Sequence, residues 1–177
     1  MSARPFLLAV PVVIIGWLTL APTAVEPVSW QPPEAPSQKT GKFKANDDLR
    51  DIQRIGDLDL HGPEALIRDD EGFLITGLHD GRVVRTSLDG SALKVLGNTG
   101  GRPLGLARHP DGRLIIADAL RGLIALNTDG SISELSKSSD NLAFKFVDDV
   151  VIDEAGRYAY FSDASSRWGY GDDGAAI

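Results

Sequence analysis

The sequence predicts an all-β fold, a β-propeller with about two and a half blades in its 177 residues, after an N-terminal transmembrane helix. Three observations predict it. An apolar and acidic pattern recurs after Leu60, short strand-like runs alternate with Asp-Gly turns, and an uncharged apolar segment lies near the N-terminus. A strand-filled repeat of about 40 residues is typical of propeller blades.

The N-terminal segment is apolar and follows a positive charge. Residues 5–25 contain no charged side chain, and Arg4 precedes them. Such a segment is long enough for a helix of about 20 residues that crosses a bilayer. A cleaved signal peptide has the same pattern, but residues 21–24 lack a clear small-x-small cleavage site, so an uncleaved anchor over 1–25 is favoured. The positive-inside rule then predicts a single-pass membrane protein whose remaining residues lie on the extracytoplasmic side.

A proline-rich linker is predicted next. Residues 26–45 include Pro32, Pro33 and Pro36 and show no apolar periodicity, which indicates a stiff, extended spacer. The remaining residues, 46–177, are predicted to form the N-terminal part of a propeller. Its blades lie at about 62–97 and 101–136, with an incomplete blade at 146–177.

The blades are predicted from three aligned stretches, 63–77, 103–117 and 147–161. Each has an apolar run, an acidic turn that ends in Gly72, Gly112 or Gly156, and a second apolar run. Asp-Gly pairs, which are strong hairpin signals, separate the later strands. The predicted strands are 64–68, 73–77, 82–87 and 91–96, then 104–108, 113–117, 122–127 and 131–135, then 148–152 and 157–162. A β-sandwich is the alternative fold, but sandwiches lack this regular internal copy.

The third repeat contains only two clear strands. Two and a half blades cannot close a ring, and they would leave sheet edges exposed, which natural proteins avoid. We therefore expect the chain to be a fragment, about half of a longer protein.

Composition excludes several classes of function. The net charge of −7 argues against a nucleic-acid partner, since such proteins normally carry a basic face. No cysteine is present, which excludes disulfides, thiolate metal sites and a cysteine nucleophile. The "GYGDDG" stretch (169–174) matches G-x-G-x-x-G, but it does not open a helix after a strand, and its carboxylates would repel a pyrophosphate.

Several motifs carry a family resemblance. The stretches "GPE" (62–64), "TGGRPLGLA" (99–107), "IADALRGL" (116–123) and "FVDDVVID" (146–153) resemble strictosidine synthase-like proteins. This family, with its adipocyte plasma membrane-associated protein-like members, is part of the gluconolactonase–paraoxonase superfamily. The resemblance covers about residues 29–177 and implies a six-bladed propeller whose innermost strands line a central channel.

The resemblance also implies a metal site at one rim of the channel. Many lactonase-type members hold a divalent cation there, usually Ca²⁺, which suits sites with several oxygen ligands. By motif, Glu64 and Asp148 are the expected metal ligands, and Asp149 is the less favoured partner. The alternative is that each carboxylate accepts backbone hydrogen bonds where a strand begins, and for Asp149 this alternative is favoured. Asp118 and Asp163 are expected to have structural roles in turns.

The sequence motifs assign no catalytic residue. Arylesterase-like relatives have a histidine pair where this chain has Arg102, Pro103 and Leu104, so that base is missing. His79 follows the second strand of its blade and could face the rim.

The favoured function is a membrane-anchored, extracytoplasmic, metal-dependent hydrolase of small-molecule esters or lactones. A propeller that binds a ligand or a protein without catalysis is the alternative, because a fold alone does not fix a function. A condensing enzyme of the strictosidine synthase type is a second alternative.

Overall fold

The structure is a computed structural model that describes residues 4–20, 29–35, 40–52, 55 and 60–171. The chain divides into two compact units, one up to Asp47 and a larger one that begins at Asp48. The smaller unit contains helix α1, Arg4–Leu20, and a short 3-10 turn at Gly41–Phe43. Helix α1 coincides with 17 residues of the predicted membrane span, and the rest of that span, 1–3 and 21–25, lies outside the described residues.

No helix within the described ranges has both the length and the apolar character needed to cross a membrane.

The larger unit consists of antiparallel sheets, as the repeats predict. The first blade has the strand order β1-β2-β3-β4 and the second has β5-β6-β7-β8, so each is a four-stranded meander. A third, two-stranded sheet pairs β11 with β12, and a small hairpin, β9–β10, precedes it. The strands are β1 (Leu66–Arg68), β2 (Leu74–Gly77), β3 (Arg82–Thr86), β4 (Leu93–Asn98), β5 (Pro103–Arg108), β6 (Leu114–Asp118), β7 (Gly122–Leu126), β8 (Ile132–Ser136), β9 (Ser138–Ser139), β10 (Leu142–Ala143), β11 (Val147–Ile152) and β12 (Ala159–Asp163).

The hydrophobic core lies between the sheets. Because successive side chains of a strand point to opposite faces, the apolar residues of the second blade divide into two sets. Leu106, Leu114, Ile116, Ile124 and Leu126 pack with Ile75 and Val83 of the first blade. Ile115, Ala117, Leu123 and Ala125 pack with Val147 and Val150 of the third. The second blade is therefore covered on both faces, as expected of a propeller blade with neighbours on each side.

The innermost strands of the three blades lie side by side. The Ala65 amide donates to the Leu104 carbonyl at 3.2 Å, which joins the first blade to the second. Gly105 of β5 lies directly against Asp149 of β11, since a Cβ added at Gly105 would be 2.6 Å from the Asp149 Cα. The all-β propeller arrangement that the repeats predict is thus confirmed for the described strands.

The Asp-Gly turns have one common structure. Asp80, Asp89, Asp111 and Asp129 each accept, through Oδ1, a hydrogen bond from the backbone N–H two residues further on. The glycine after each aspartate has a positive φ, between 73° and 94°, a conformation that glycine adopts without steric cost. The turns predicted from these four pairs are therefore confirmed.

The turn at Asp89 predicts a pH dependence of stability. Hydrogen bonds from the Ser87 hydroxyl and then from the Ser91 amide and hydroxyl lower the pKa of Asp89 from 3.8 to about 2. Because the folded-state pKa is depressed, the contribution to stability is present above about pH 4 and is lost as the pH falls towards 2. In Asp89→Asn we expect a smaller loss of stability over this window, measured from urea unfolding at pH 5 and at pH 2.

The control is Ser87→Ala, which removes the main cause of the shift and should raise the pH at which Asp89 titrates, as followed by carboxyl NMR shifts. An Asp89 in the wild-type chain that titrates near 3.8 would contradict this account.

Candidate functional site

One edge of the larger unit collects the segments that contain the predicted site residues. We call this edge the rim: it consists of the starts of β1, β5 and β11 and the turns after β2, β6 and β12. In each blade, one backbone hydrogen bond joins the segment before the first strand to a residue that follows the second strand. His79 donates to the His61 carbonyl at 2.9 Å, Ala119 to Arg102 at 2.9 Å, and Ala164 to Phe146 at 2.8 Å.

Strand pairing gives Glu64, Leu104 and Asp148 equivalent places in the three blades. Leu66 pairs with Thr76, Leu106 with Ile116, and Val150 with Phe161. Glu64, Leu104 and Asp148 lie two residues before Leu66, Leu106 and Val150, respectively. The rim therefore carries a carboxylate at this place in the first and third blades and a leucine in the second.

A β-bulge alters the strand at this place in two blades. The register shifts between Pro103 and Gly105 in β5, and between Val147 and Val150 in β11. In β11, Asp148 and Asp149 together oppose the single residue Ser162. Bulges of this kind re-aim side chains and are frequent next to active sites. Sequence alternation alone did not reveal either bulge.

Glu64 is held by an arginine. Its Oε2 lies 3.2 Å from Nη2 of Arg102, and Nη1 of the same guanidinium donates to the Gly62 carbonyl at 2.8 Å. The Glu64 side chain is 53% exposed, whereas that of Arg102 is 8% exposed. The Glu64 carboxylate is thus exposed to solvent, and the buried Arg102 guanidinium holds it in place. In the sequence, Arg102 is marked only by standing where arylesterase-like relatives have a histidine.

The two aspartates of β11 have different surroundings. Asp148 is half-buried, and Asp149 is exposed. Oδ1 of Asp149 accepts from the Val150 amide at 2.8 Å, and the Asp149 amide donates to Ser162 Oγ at 3.3 Å. Asp149 therefore stabilises the bulge, and the bulge leaves Asp148 at the position equivalent to Glu64.

The described residues contain no group of three or more histidine, cysteine, aspartate or glutamate side chains placed to hold a metal ion. The structure brings Glu64 together with Arg102 rather than with a second carboxylate. What the rim does offer is oxygen donors, the ligand type that Ca²⁺ prefers.

Asp118 fastens the rim of the second blade. It is fully buried, and its Oδ1 accepts from the amides of Arg102 at 2.9 Å, Leu120 at 2.9 Å and Arg121 at 3.0 Å. Asp163 makes the equivalent bond in the third blade, where Oδ1 accepts from the Phe146 amide at 2.6 Å. The structural turn role predicted for both residues is therefore confirmed. Asp118 Oδ2 and Arg102 Nε are buried without a hydrogen-bond partner in the structure.

A loop from the third blade reaches the first blade at the rim. The Tyr170 hydroxyl lies 3.4 Å from Nδ1 of His79. The Tyr170 ring also packs edge-on against Phe146, with the centroids 5.7 Å apart. His79 lies at the rim in the turn after β2, and its contact with Tyr170, 91 residues away, has no signal in the sequence.

Residues 41–86 match the family described as "Strictosidine synthase-like, N-terminal". The chain is also 32% identical over 178 residues to the adipocyte plasma membrane-associated protein of Rattus norvegicus, with 91% of this chain and 46% of that protein covered. The resemblance to strictosidine synthase-like proteins is confirmed. A second strictosidine synthase-like relative, "Protein STRICTOSIDINE SYNTHASE-LIKE 6" of Arabidopsis thaliana, is 39% identical over 115 residues, which cover 62% of this chain and 31% of that protein.

The described fold is also similar to solved structures. A gluconolactonase from Xanthomonas campestris superposes with a TM-score of 0.49 at 20% identity, over 62% of this chain and 38% of that one. Against the rat relative, the chain spans 46% of the relative's length.

Proposed function

We propose that the protein is a hydrolase of small-molecule esters or lactones whose site lies at the rim. We further propose that the site uses a divalent cation, with Ca²⁺ as the best fit, held by Glu64 and Asp148. The observation that carries this proposal is the placement of these two carboxylates at equivalent positions of two inner strands. The described residues add no third histidine, cysteine, aspartate or glutamate to this pair.

The donor set fits a hard cation in type. Both side chains supply only oxygen, and Ca²⁺ tolerates varied geometry and several ligands. The bond between Glu64 and Arg102 uses Oε2, and the guanidinium beside it repels a second cation. We therefore propose a weak site, with a Kd on the order of 10⁻⁴ to 10⁻³ M, as in extracellular calcium modules.

The chain's own residues prepare this site. Arg102 orients the Glu64 carboxylate. The bulge, stabilised through Asp149 and Ser162, sets the place of Asp148. A cation bound there would polarise an ester carbonyl and stabilise the negative charge that develops on its oxygen.

A membrane location is part of the proposal. Its support is the name of the relatives, which are called plasma membrane-associated proteins. We propose that the propeller lies on the extracytoplasmic side, with the N-terminal apolar segment as the attachment.

A binding propeller without catalysis is the second candidate. The observation that favours it is the ion pair between Glu64 and Arg102, which occupies one of the expected metal ligands with a protein cation.

Calcium binding tests the proposal. In the complete protein we expect saturating Ca²⁺ to stabilise the folded state by about 2.7 kcal/mol at a hundredfold excess over Kd, and chelator to reverse this effect. Glu64→Gln should weaken calcium binding, measured by titration calorimetry, by at least about tenfold, the equivalent of about 1.4 kcal/mol. The matched control is Glu134→Gln, since Glu134 pairs with Lys137 on the outer strand of the second blade.

Hydrolysis of aryl esters and of γ- and δ-lactones is assayed on the same samples. Unchanged calcium affinity in Glu64→Gln would show that the site is assigned wrongly. Calcium binding without hydrolysis of any substrate in the panel would favour the binding propeller.

A further inference from the structure

The contact between His79 and Tyr170 is a part of the rim that the proposed function does not use. Tyr170 belongs to the loop after β12 and packs against Phe146, where β11 is about to begin. From there its hydroxyl reaches His79, in the turn after β2. One tyrosine thus connects the third blade to the first across the rim.

His79 lies next to the pair formed by Glu64 and Arg102, with Gly62 as the link. A Cβ added at Gly62 would be 3.2 Å from the Cβ of His79 and 3.6 Å from Nη2 of Arg102. The Gly62 carbonyl accepts from Arg102 Nη1, and Arg102 in turn holds Glu64. The imidazole is exposed, so water reaches it, and Gly62 and Arg102 link it to the Glu64 carboxylate of the proposed site.

We propose that His79 is the general base of the hydrolysis and that Tyr170 is its positioning residue. This inference rests on the proposed function. When the Nδ1–H donates to the Tyr170 oxygen, the neutral imidazole has its basic nitrogen at Nε2, which can take a proton. A histidine oriented by a third group through its other ring nitrogen is the usual arrangement of a catalytic base.

The reaction balances with water as the only co-reactant. The oxygen of water forms a bond to the ester carbonyl carbon while Nε2 of His79 takes one of its protons. The bond between that carbon and the leaving oxygen then breaks, and the imidazolium returns the proton to the leaving alkoxide. The products are a carboxylic acid and an alcohol, or one hydroxy acid when the substrate is a lactone.

The charged and titratable groups around His79 come from four segments. Arg102 lies across Gly62, and His61, whose carbonyl accepts from the His79 amide, comes from the segment before β1. Asp80 follows in the same turn and pairs with Arg82 at 2.6 Å. Tyr170 approaches from the third blade.

The test compares His79→Gln and Tyr170→Phe with His109→Gln in the complete protein, using the hydrolysed ester of the panel. His109 is the matched control because it lies in the turn between β5 and β6, where it contacts the Gly156 carbonyl at 2.8 Å. Positioned general bases contribute about 10²- to 10⁴-fold to rates, so His79→Gln should lower kcat/KM at least about a hundredfold and remove the acidic limb of its pH profile. Tyr170→Phe should lower kcat several-fold with little change in KM.

A second variant separates catalysis from folding. His79→Ala should regain part of its activity when free imidazole is added, which a structural role would not produce. The inference is overturned if His79→Gln keeps the acidic limb or if imidazole fails to rescue a folded His79→Ala protein. If the wild-type protein binds Ca²⁺ and hydrolyses nothing, the proposed function itself is overturned, whatever the state of His79.

Discussion

Replacing Asp118 with alanine is expected to lower the free energy of unfolding by about 3 to 5 kcal/mol. Its Oδ1 accepts three backbone N–H bonds, those of Arg102, Leu120 and Arg121. Alanine would leave these donors without an acceptor, in surroundings that are buried or partly buried. Each buried donor without a partner costs about 1 to 3 kcal/mol. The measurement is denaturant unfolding of the complete protein, followed by tryptophan fluorescence and circular dichroism together.

Two control variants separate the effect of losing the hydrogen bonds to Asp118 from the effect of losing its negative charge. Asp118→Asn keeps an oxygen acceptor in the same place and should recover part of the lost stability. Asp163→Ala removes the equivalent bond in the third blade, where the side chain is exposed, and should cost about 1 kcal/mol or less. Stability of Asp118→Ala within 1 kcal/mol of wild type would mean that water replaces the carboxylate, which would contradict its role as a fastener.

Gly105→Ala is expected to destabilise the packing of the second blade on the third by about 3 kcal/mol, the upper end of overpacking costs. The added Cβ would be 2.6 Å from the Asp149 Cα and 2.8 Å from the Val150 amide nitrogen. Both are backbone atoms, so no side-chain rotation can relieve the clash, and the sheets have to move apart. Because the displaced residues form the bulge that carries Asp148, the calcium affinity that we propose should fall together with stability.

Gly16→Ala is the matched substitution, since a Cβ at Gly16 of α1 meets no atom within 4 Å. It should leave both unfolding and calcium binding of the larger unit at wild-type values. If Gly105→Ala binds calcium normally while its unfolding midpoint falls, the bulge does not set the place of Asp148, and the metal site needs other residues.

The sheets could be predicted because local chemistry determines them. Asp-Gly pairs fix the turns, and the alternation between them fixes which side chains face a neighbouring blade. The predicted strands agree with the observed ones to within one or two residues for most strands, for example 113–117 against Leu114–Asp118. The short hairpin Ser138–Ser139 with Leu142–Ala143 was missed. Its two-residue strands are too short to show an alternating apolar pattern. Its turn contains Asp140 and Asn141 at positive φ, and no Asp-Gly pair marks it.

The site was harder to predict because it depends on contacts between distant residues. The equivalence of Glu64 and Asp148 follows from the repeat and was available from the sequence. The bond between Glu64 and Arg102 spans 38 residues, and that between His79 and Tyr170 spans 91. No local pattern encodes contacts at such sequence separations, because these contacts form only when the three sheets pack side by side. The available signal for the first of these contacts was an arginine at the start of the apolar stretch "RPLGLA".

The equivalence of Glu64, Leu104 and Asp148 has a consequence for how such a protein can evolve. Each repeat contributes one side chain to the same rim, and Glu64 and Asp148 belong to neither core cluster. A mutation at Glu64 or Asp148 can therefore change the charge of the rim without removing a core side chain, whereas Leu104 is 3% exposed and a mutation there alters the packing. Duplication of a single repeat, followed by a change at one codon per copy, would therefore give each blade its own chemical group at the rim.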